Sequence, residues 1–505
     1  MGEDRWLGFR GLTVLAPVLL ISGILYGQNL EQFEKQVTEF TLSNGLHFIL
    51  VARHNAPVVS VRTWVDAGSA DDPAGQTGLA RMFQRMAFQG TESIGTTDWP
   101  SEKKALDALE QAADQLELEQ NKGPRASQDR LEMLKLDLNS AMDRAQTYVR
   151  ATEYGSILDS NGAQAFGAAA TFDHTEYSCS LPSNRLELWF LMESQRLLAP
   201  VYRQFYQERE AAAEEARTQS NAQAMLLQDV VSTAFQAGPF HHPVAGWPAD
   251  IESLRTRQAR EFQERYYVPA RMVIAMAGDV NPAECRRSAE HYFGGLPARP
   301  APPPPHAAEL PQRGPRAIQL DLPAPLLVYA FKRPSELSPE DPAFAVMNAV
   351  LSGGRGGLLY RELVETRRVA VDVRAIAAYP SGRFPCLFVF LLVPSRGHSM
   401  DELKQAFDAL LDGFLSQNLD DEQLHRARNR IRASLLNQLN SNQGLSAILP
   451  AYYTAFGDWR QLFTWLDSVD KVTADDVLRV ARRYLVASQR TVGFTSPPVP
   501  AVGER

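Results

Sequence analysis

Cysteine is scarce: the 505 residues hold three, Cys179, Cys285 and Cys386, odd in number and widely spaced. This argues against a disulfide framework or a thiolate metal site, and the three are expected to be buried free thiols. A basic cluster is also missing. The 51 basic and 59 acidic residues give a net charge of -8, and nothing in their pattern suggests a nucleic-acid surface. No apolar run reaches the roughly 20 residues of a membrane span. The nearest, Gly11 to Tyr26, follows Arg5 and Arg10 and gives way to polar sequence at Gln28. That pattern fits a secretory signal over residues 1–27, cut near Gly27, with a periplasmic destination. The alternative is an uncleaved anchor that holds the chain to the inner membrane through residues 11–26. The glycines 353, 354, 356 and 357 lack the Lys-Ser/Thr that would follow a phosphate loop, and read as a flexible loop. His174 has no ligand partner four residues on.

Among the features present, Gly78 to Thr91, GLARMFQRMAFQGT, carries the most information. Leu79, Met82, Phe83 and Met86 follow the i, i+3, i+4, i+7 rule, so the segment predicts a helix with one buried stripe. Arg81 and Arg85 are four apart and project from one face, the spacing by which two imidazoles on a helix reach one metal ion. The segment resembles the inverted zinc motif H-x-x-E-H of the pitrilysin/insulinase (M16) peptidase family, in the context G-L-A-H-x-x-E-H-x-x-F-x-G-T. Arg81 and Arg85 stand at the two His positions and Gln84 at the Glu position. A guanidinium offers donors only, whereas zinc needs a free lone pair. Gln84 cannot take a proton from a metal-bound water. The resemblance therefore implies zinc for the family and no metal or cofactor here.

Phe40 to Val51 and Val58 to Val65 alternate, are rich in β-branched residues, and read as sheet strands. Residues 101–150 read as an inserted antiparallel helical hairpin. Leu106, Leu109, Ala113 and Leu116 form one stripe; Leu131, Leu134, Leu138, Ala141 and Ala145 form the other, with Gly123-Pro124 at the turn. A short helix from Ile157, a strand near Glu176 to Leu181, a long helical region from Leu186 to Leu226 and an apolar strand over Met272 to Val280 follow. Pro302 to Pro305 can only run extended and mark a linker over 300–315. The second half repeats the order of strand, helix, strand and long helices. The expected architecture is α+β: an M16-like first domain over 28–299, a second over 316–497 and a tail over 498–505. Each domain would be a mostly antiparallel sheet backed by helices.

The family's remaining zinc ligand lies in an E-R-x-x-x-x-x-E segment, which Glu208 to Glu215 resembles, with Glu215 in the ligand position and Glu208 in the supporting one. The carboxylates survive without their histidines, so Arg81 and Arg85 are expected to occupy the metal's space and pair with them. If those pairs are buried, losing one partner costs on the order of 3 to 5 kcal/mol. Gly162 to Tyr177 resembles the family's substrate-binding edge strand, with Gly167, Ala168, Ala169 and Thr171 as candidate edge residues and Gly167 at the position of an Asn. Backbone pairing with a peptide survives that change. Val364 and Val371 replace an Arg and a Tyr that many family members set against substrate, and His241-His242-Pro243 resembles a structural segment. The resemblance implies a non-catalytic subunit that pairs with a catalytically competent, zinc-bearing homologue as a heterodimer enclosing peptides. The alternatives are a self-sufficient peptide-binding scaffold and, less favoured, an active zinc peptidase with an unusual site.

Overall fold

The alternating apolar segments of the first half build a six-stranded sheet: β1 (Val37–Thr41), β2 (His47–Ala52), β3 (Val58–Val65), β4 (Gln164–Ala170), β5 (Thr175–Pro182) and β6 (Met272–Gly278). Their order is β1-β2-β6-β3-β5-β4. The second half supplies β7 (Arg316–Asp321), β8 (Leu327–Arg333), β9 (Ala370–Tyr379), β10 (Cys386–Pro394) and β11 (Arg490–Ser496), in the order β7-β11-β8-β10-β9. The computed structural model describes residues 30, 32–218, 221–303, 309–416 and 419–496. The segment expected to be a signal or anchor, residues 1–27, and the tail over 498–505 lie outside the described residues, as does part of the Pro-rich linker.

With β1 set aside, the two orders superpose strand for strand. The pair β2/β6 is parallel, as is β7/β11, and the remaining pairs are antiparallel. The chain is thus two versions of one α+β unit. Phe40 to Val51, expected as one strand, is a tight hairpin instead: β1 ends at Thr41, Asn44-Gly45 turns the chain, and β2 starts at His47. Gly45 supplies the left-handed φ of +97° that the turn requires.

The inserted hairpin comprises helices Trp99–Gln120 and Gln128–Gln146, opened by the side-chain caps of Asp98 and Ser127. Leu109, Ala113 and Leu116 of one helix and Leu134, Leu138, Ala141 and Ala145 of the other are buried, as the two apolar stripes require. The expected long helical region is three helices, Leu186–Leu198, Phe205–Arg217 and Ala222–Ala234. The first break falls at Pro200, where the chain leaves the helix and re-enters through Gln204 at a φ of +57°.

Each half covers the other's sheet. Helix Ala222–Ala234 of the first half packs Leu226, Leu227, Val230 and Val231 onto Val328, Ala330, Leu387 and Val389. In return, helix Asn442–Phe456 of the second half, with Trp459 and Leu462, covers Ile49, Val51, Val273, Ala275 and Ala277. Strand β6 is consequently buried at every residue, which suits its unbroken apolar sequence. Each large side chain fully buried in this way contributes about 1.5 to 3 kcal/mol.

Polar groups set the register of the joint. Arg383 lies 2.8 Å from Asp66, while Ser381 Oγ and the Arg383 amide donate to Asp173 at 2.8 and 3.0 Å. His47, on β2, stacks on Tyr453 of the second half at 3.9 Å between ring centres. Burial holds His47 below the ordinary imidazole pKa, against the opposing pull of Glu39. As pH falls past the ordinary value near 6.5, the unfolded chain takes up this proton before the folded one does. Stability present at pH 7 is therefore lost on acidification below that point. Thermal melts should show a smaller loss between neutral and mildly acidic pH in His47→Gln than in the unsubstituted chain; equal losses would refute the assignment.

Candidate functional site

The motif helix spans Leu79–Met86 and buries Leu79, Ala80, Met82, Phe83 and Met86, the stripe expected from its spacing. Its N-terminus lacks a side-chain cap of its own, because the N-cap residue is Gly78, which has no side chain and takes a φ of +89°. Asp72 supplies the cap from outside, accepting from the amides of Gly78 and Ala80 at 2.8 Å each. Burial holds the Asp72 carboxyl well above the usual range, although these amides pull the other way. A side chain at position 78 would strike the Ala245 carbonyl, with its Cβ 2.5 Å from that oxygen. Thr77 locks the entry by donating to Asp250 at 2.6 Å and accepting from the Trp247 amide at 2.9 Å.

Facing this helix, Phe205–Arg217 carries Glu208 and Glu215 two turns apart and therefore on one side. Arg209, buried between them in sequence, points away and donates to the Leu254 carbonyl at 3.1 Å. Arg85 bridges both carboxylates: Nε donates to Glu208 at 2.9 Å and a terminal nitrogen donates to Glu215 at 2.8 Å. Arg81 approaches Glu215 at 4.0 Å but spends its closer hydrogen bond on Gln84 Oε1 at 2.6 Å. The amide of Gln84 in turn donates to the Ala168 carbonyl on β4 at 3.1 Å. Two runs of hydrogen bonds, Glu208–Arg85–Glu215 and Arg81–Gln84–Ala168, thus lie side by side and meet only through the 4.0 Å approach of Arg81 to Glu215.

This joint lies at the rim of the core. The side chains of Arg85, Glu208 and Glu215 are 22%, 28% and 62% exposed, so water screens what full burial would have magnified. The cost expected for a buried pair falls accordingly. Arg85→Ala should lose about 1 to 2 kcal/mol in a urea melt, most of it through Glu208. An unchanged midpoint would mean that the bridge contributes nothing.

The other sites expected from sequence are divided. Gly167, Ala168 and Ala169 all lie on β4, which pairs with β5 on one side and ends the sheet on the other. A side chain at Gly167 would meet open space. Thr171 lies beyond the strand, in the turn to β5, where its hydroxyl is committed to His174 and accepts from the amides of Asp173 and His174. It closes the hairpin and does not extend the edge. Val364 is half-buried against the second core, and Val371 projects from β9 with 57% exposure. His241 and His242 turn their Nδ1 atoms to the carbonyls of Gly238 and Pro243. All three cysteines are buried and free.

The donor set does not fit zinc. The two positions that would offer imidazole lone pairs present only guanidinium N–H groups; Arg85 already holds both surviving carboxylates, and Arg81 is bonded to Gln84. Among the described residues, no group of three His, Cys, Asp or Glu side chains is placed to hold an ion. Asp72 and Arg203, which fix the two ends of the motif helix and its following loop, escaped sequence reasoning. Neither carries a local signature, since each acts on residues separated from it in sequence, by 6 and 8 positions for Asp72 and by more than 100 for Arg203.

Comparison with known proteins agrees with this geometry. Residues 47–111 match the model of "Insulinase (Peptidase family M16)" and residues 253–431 that of "Peptidase M16 inactive domain". The probable mitochondrial-processing peptidase subunit beta of Arabidopsis thaliana is 25% identical over 483 residues, covering 92% of this chain and 78% of its own. The zinc protease PqqE of Helicobacter pylori is 21% identical over 498 residues, covering 97% and 99%. A solved protease from Helicobacter pylori superposes with a TM-score of 0.75 at 19% identity, across 91% of this chain and 99% of that one. Two matched family models, relatives along nearly the full length and the duplicated fold together support an M16-family peptidase-like protein.

Proposed function

We propose that this chain is a catalytically silent M16-like subunit that is exported and pairs with a zinc-bearing homologue to enclose peptides. The observation that carries the reading is Arg85, whose guanidinium spans Glu208 and Glu215 where the family's metal would sit. Without lone-pair donors or a general base on the motif helix, hydrolysis has to come from a partner. The name of the Arabidopsis relative, a processing peptidase subunit, supports an assembly of this kind. Export rests on the sequence of residues 11–26; among the described residues no helix is long and apolar enough to cross a membrane.

The test is co-expression with a homologue whose H-x-x-E-H motif is intact. A stable mixed dimer on gel filtration, with peptide cleavage in the mixture and none by this chain alone, is the expected result. Chelator-sensitive cleavage by this chain alone, abolished by Glu215→Gln, would overturn the proposal.

A second reading, a self-sufficient peptide-binding scaffold, draws on the unpaired side of β4, which offers main-chain groups to an extended peptide. Gln84 already occupies the Ala168 carbonyl there. Gln84→Ala frees that acceptor and should tighten peptide binding by about threefold or more, the worth of one competing hydrogen bond. A stable monomer with such binding favours the scaffold over the subunit.

A further inference from the structure

The sequence around Gly353 to Gly357 reads as a flexible loop, yet it forms one wall of a cavity of about 210 Å³. The loop is short and helical over Gly354–Gly356. The remaining walls come from helix Asp341–Leu351, from Leu358 and Arg361, and from helix Asp421–Leu439, which contributes Gln423, Arg426 and Arg430. Arg430 lies against Gly353 so closely that a Cβ there would overlap its guanidinium. The glycine is what admits the arginine.

Three arginines therefore line one small cavity, Arg361 half-buried and Arg426 and Arg430 exposed at its solvent side. Among the described residues a single carboxylate pairs with any of them: Glu422, 2.9 Å from Arg426 and largely exposed. The Nε of Arg361 is buried and makes no hydrogen bond among the described residues. A buried donor without an acceptor is costly, and like charges gathered round a cavity repel. Both costs are relieved by an anion that accepts from several N–H groups at once, for which the planar guanidinium fork is well matched.

We infer that this cavity is a binding site for a compact oxyanion, a phosphate or a carboxylate group, held by Arg361, Arg426 and Arg430. Its volume lies below that of pockets for drug-sized ligands, so it takes one such group and not a whole nucleotide. The site is separate from the arginine and carboxylate joint on the motif helix and does not depend on the subunit reading. Arg361, on the segment Tyr360–Thr366, and Arg430, on helix Asp421–Leu439, are joined through the bound group, which would tie the glycine turn to the second core.

The test is isothermal titration of the full chain with inorganic phosphate and, in separate arms, with alanine tripeptide bearing a free C-terminal carboxylate and with the same peptide amidated. Saturable binding of phosphate, or of the free-carboxylate peptide but not its amide, is the expected result, and the arm that binds identifies the source. Arg430→Gln and Arg361→Gln should each weaken that binding about tenfold, the worth of a charge-assisted hydrogen bond. Glu422→Gln, on an exposed side chain whose loss leaves the core intact, should strengthen it by releasing Arg426. Absence of binding in every arm at millimolar ligand overturns the inference, as does binding that the Arg430 and Glu422 substitutions leave unchanged.

Discussion

Replacing Arg203 by alanine should destabilise the chain by about 3 to 5 kcal/mol, the cost of stranding a buried charge. The Arg203 and Glu102 side chains are both 0% exposed, and their ion pair links the carboxylate-helix entry to the first hairpin helix. Arg203 also donates to the carbonyls of Gln89 and Ile94 at 3.0 Å each and of Thr91 at 2.6 Å. Those carbonyls belong to the loop that leaves the motif helix, so one side chain holds the helix exit, the hairpin and the entry to helix Phe205–Arg217 together. The double variant Glu102→Leu, Arg203→Met removes both charges and should recover part of the loss, because an apolar pair of similar volume replaces a desolvated ionic one. Recovery should stop short by about 1 to 3 kcal/mol, since the loop carbonyls remain without donors. Chemical denaturation of the three proteins decides the matter. A midpoint for Arg203→Ala equal to that of the unsubstituted chain would show that the pair contributes nothing.

The triple variant Arg81→His, Gln84→Glu, Arg85→His should bind zinc far more tightly than the unsubstituted chain. Positions 81 and 85 project from one face toward Glu215, whose carboxylate lies 4.0 and 2.8 Å from the two guanidiniums. An imidazole is shorter than a guanidinium side chain, and the space vacated beyond it is the space an ion at about 2.0 to 2.1 Å from nitrogen requires. Two His and one Glu then form a three-ligand set with an open fourth position, and Glu208 supports from behind. Binding of one equivalent with Kd of roughly 1 µM or tighter is expected, a strength well within the range of protein zinc sites. Metal analysis after dialysis provides the measurement. Equal zinc in the triple variant and the parent would mean that the carboxylates no longer converge on the motif face.

How much of this was legible in sequence follows from how local each signal is. The motif helix could be read because 3.6-residue periodicity is a short-range property, whereas the carboxylates and their meeting with Arg85, 123 and 130 residues away in sequence, were legible only through the resemblance to the M16 motifs. The partner of Arg81 could not be read, because Gln84 lies within reach on the same helix and wins over a more distant carboxylate by proximity alone. Thr171 looked like part of the edge strand, but its hydroxyl was claimed by a turn three residues long. The hairpin in Phe40 to Val51 was signalled by Asn44-Gly45, a favoured turn pair, but was overlooked because alternation continues on both sides of it. The exchange of helices between halves left no trace in composition, since an apolar helix face reads the same whichever sheet it covers.

That exchange bears on how the protein is made. Strand β6 completes the first sheet at Gly278, but the helix that covers its second face runs to Phe456. At the usual pace of synthesis, about 5 to 20 residues per second, roughly 10 to 40 s separate the two. During that interval Ile49, Val51, Val273 and Ala275 have no cover from their own half, and the nascent chain presents an apolar sheet face to its surroundings. The order of emergence thus makes the first half dependent on escort until the second arrives, and makes helix Asn442–Phe456 the element whose docking ends that exposure.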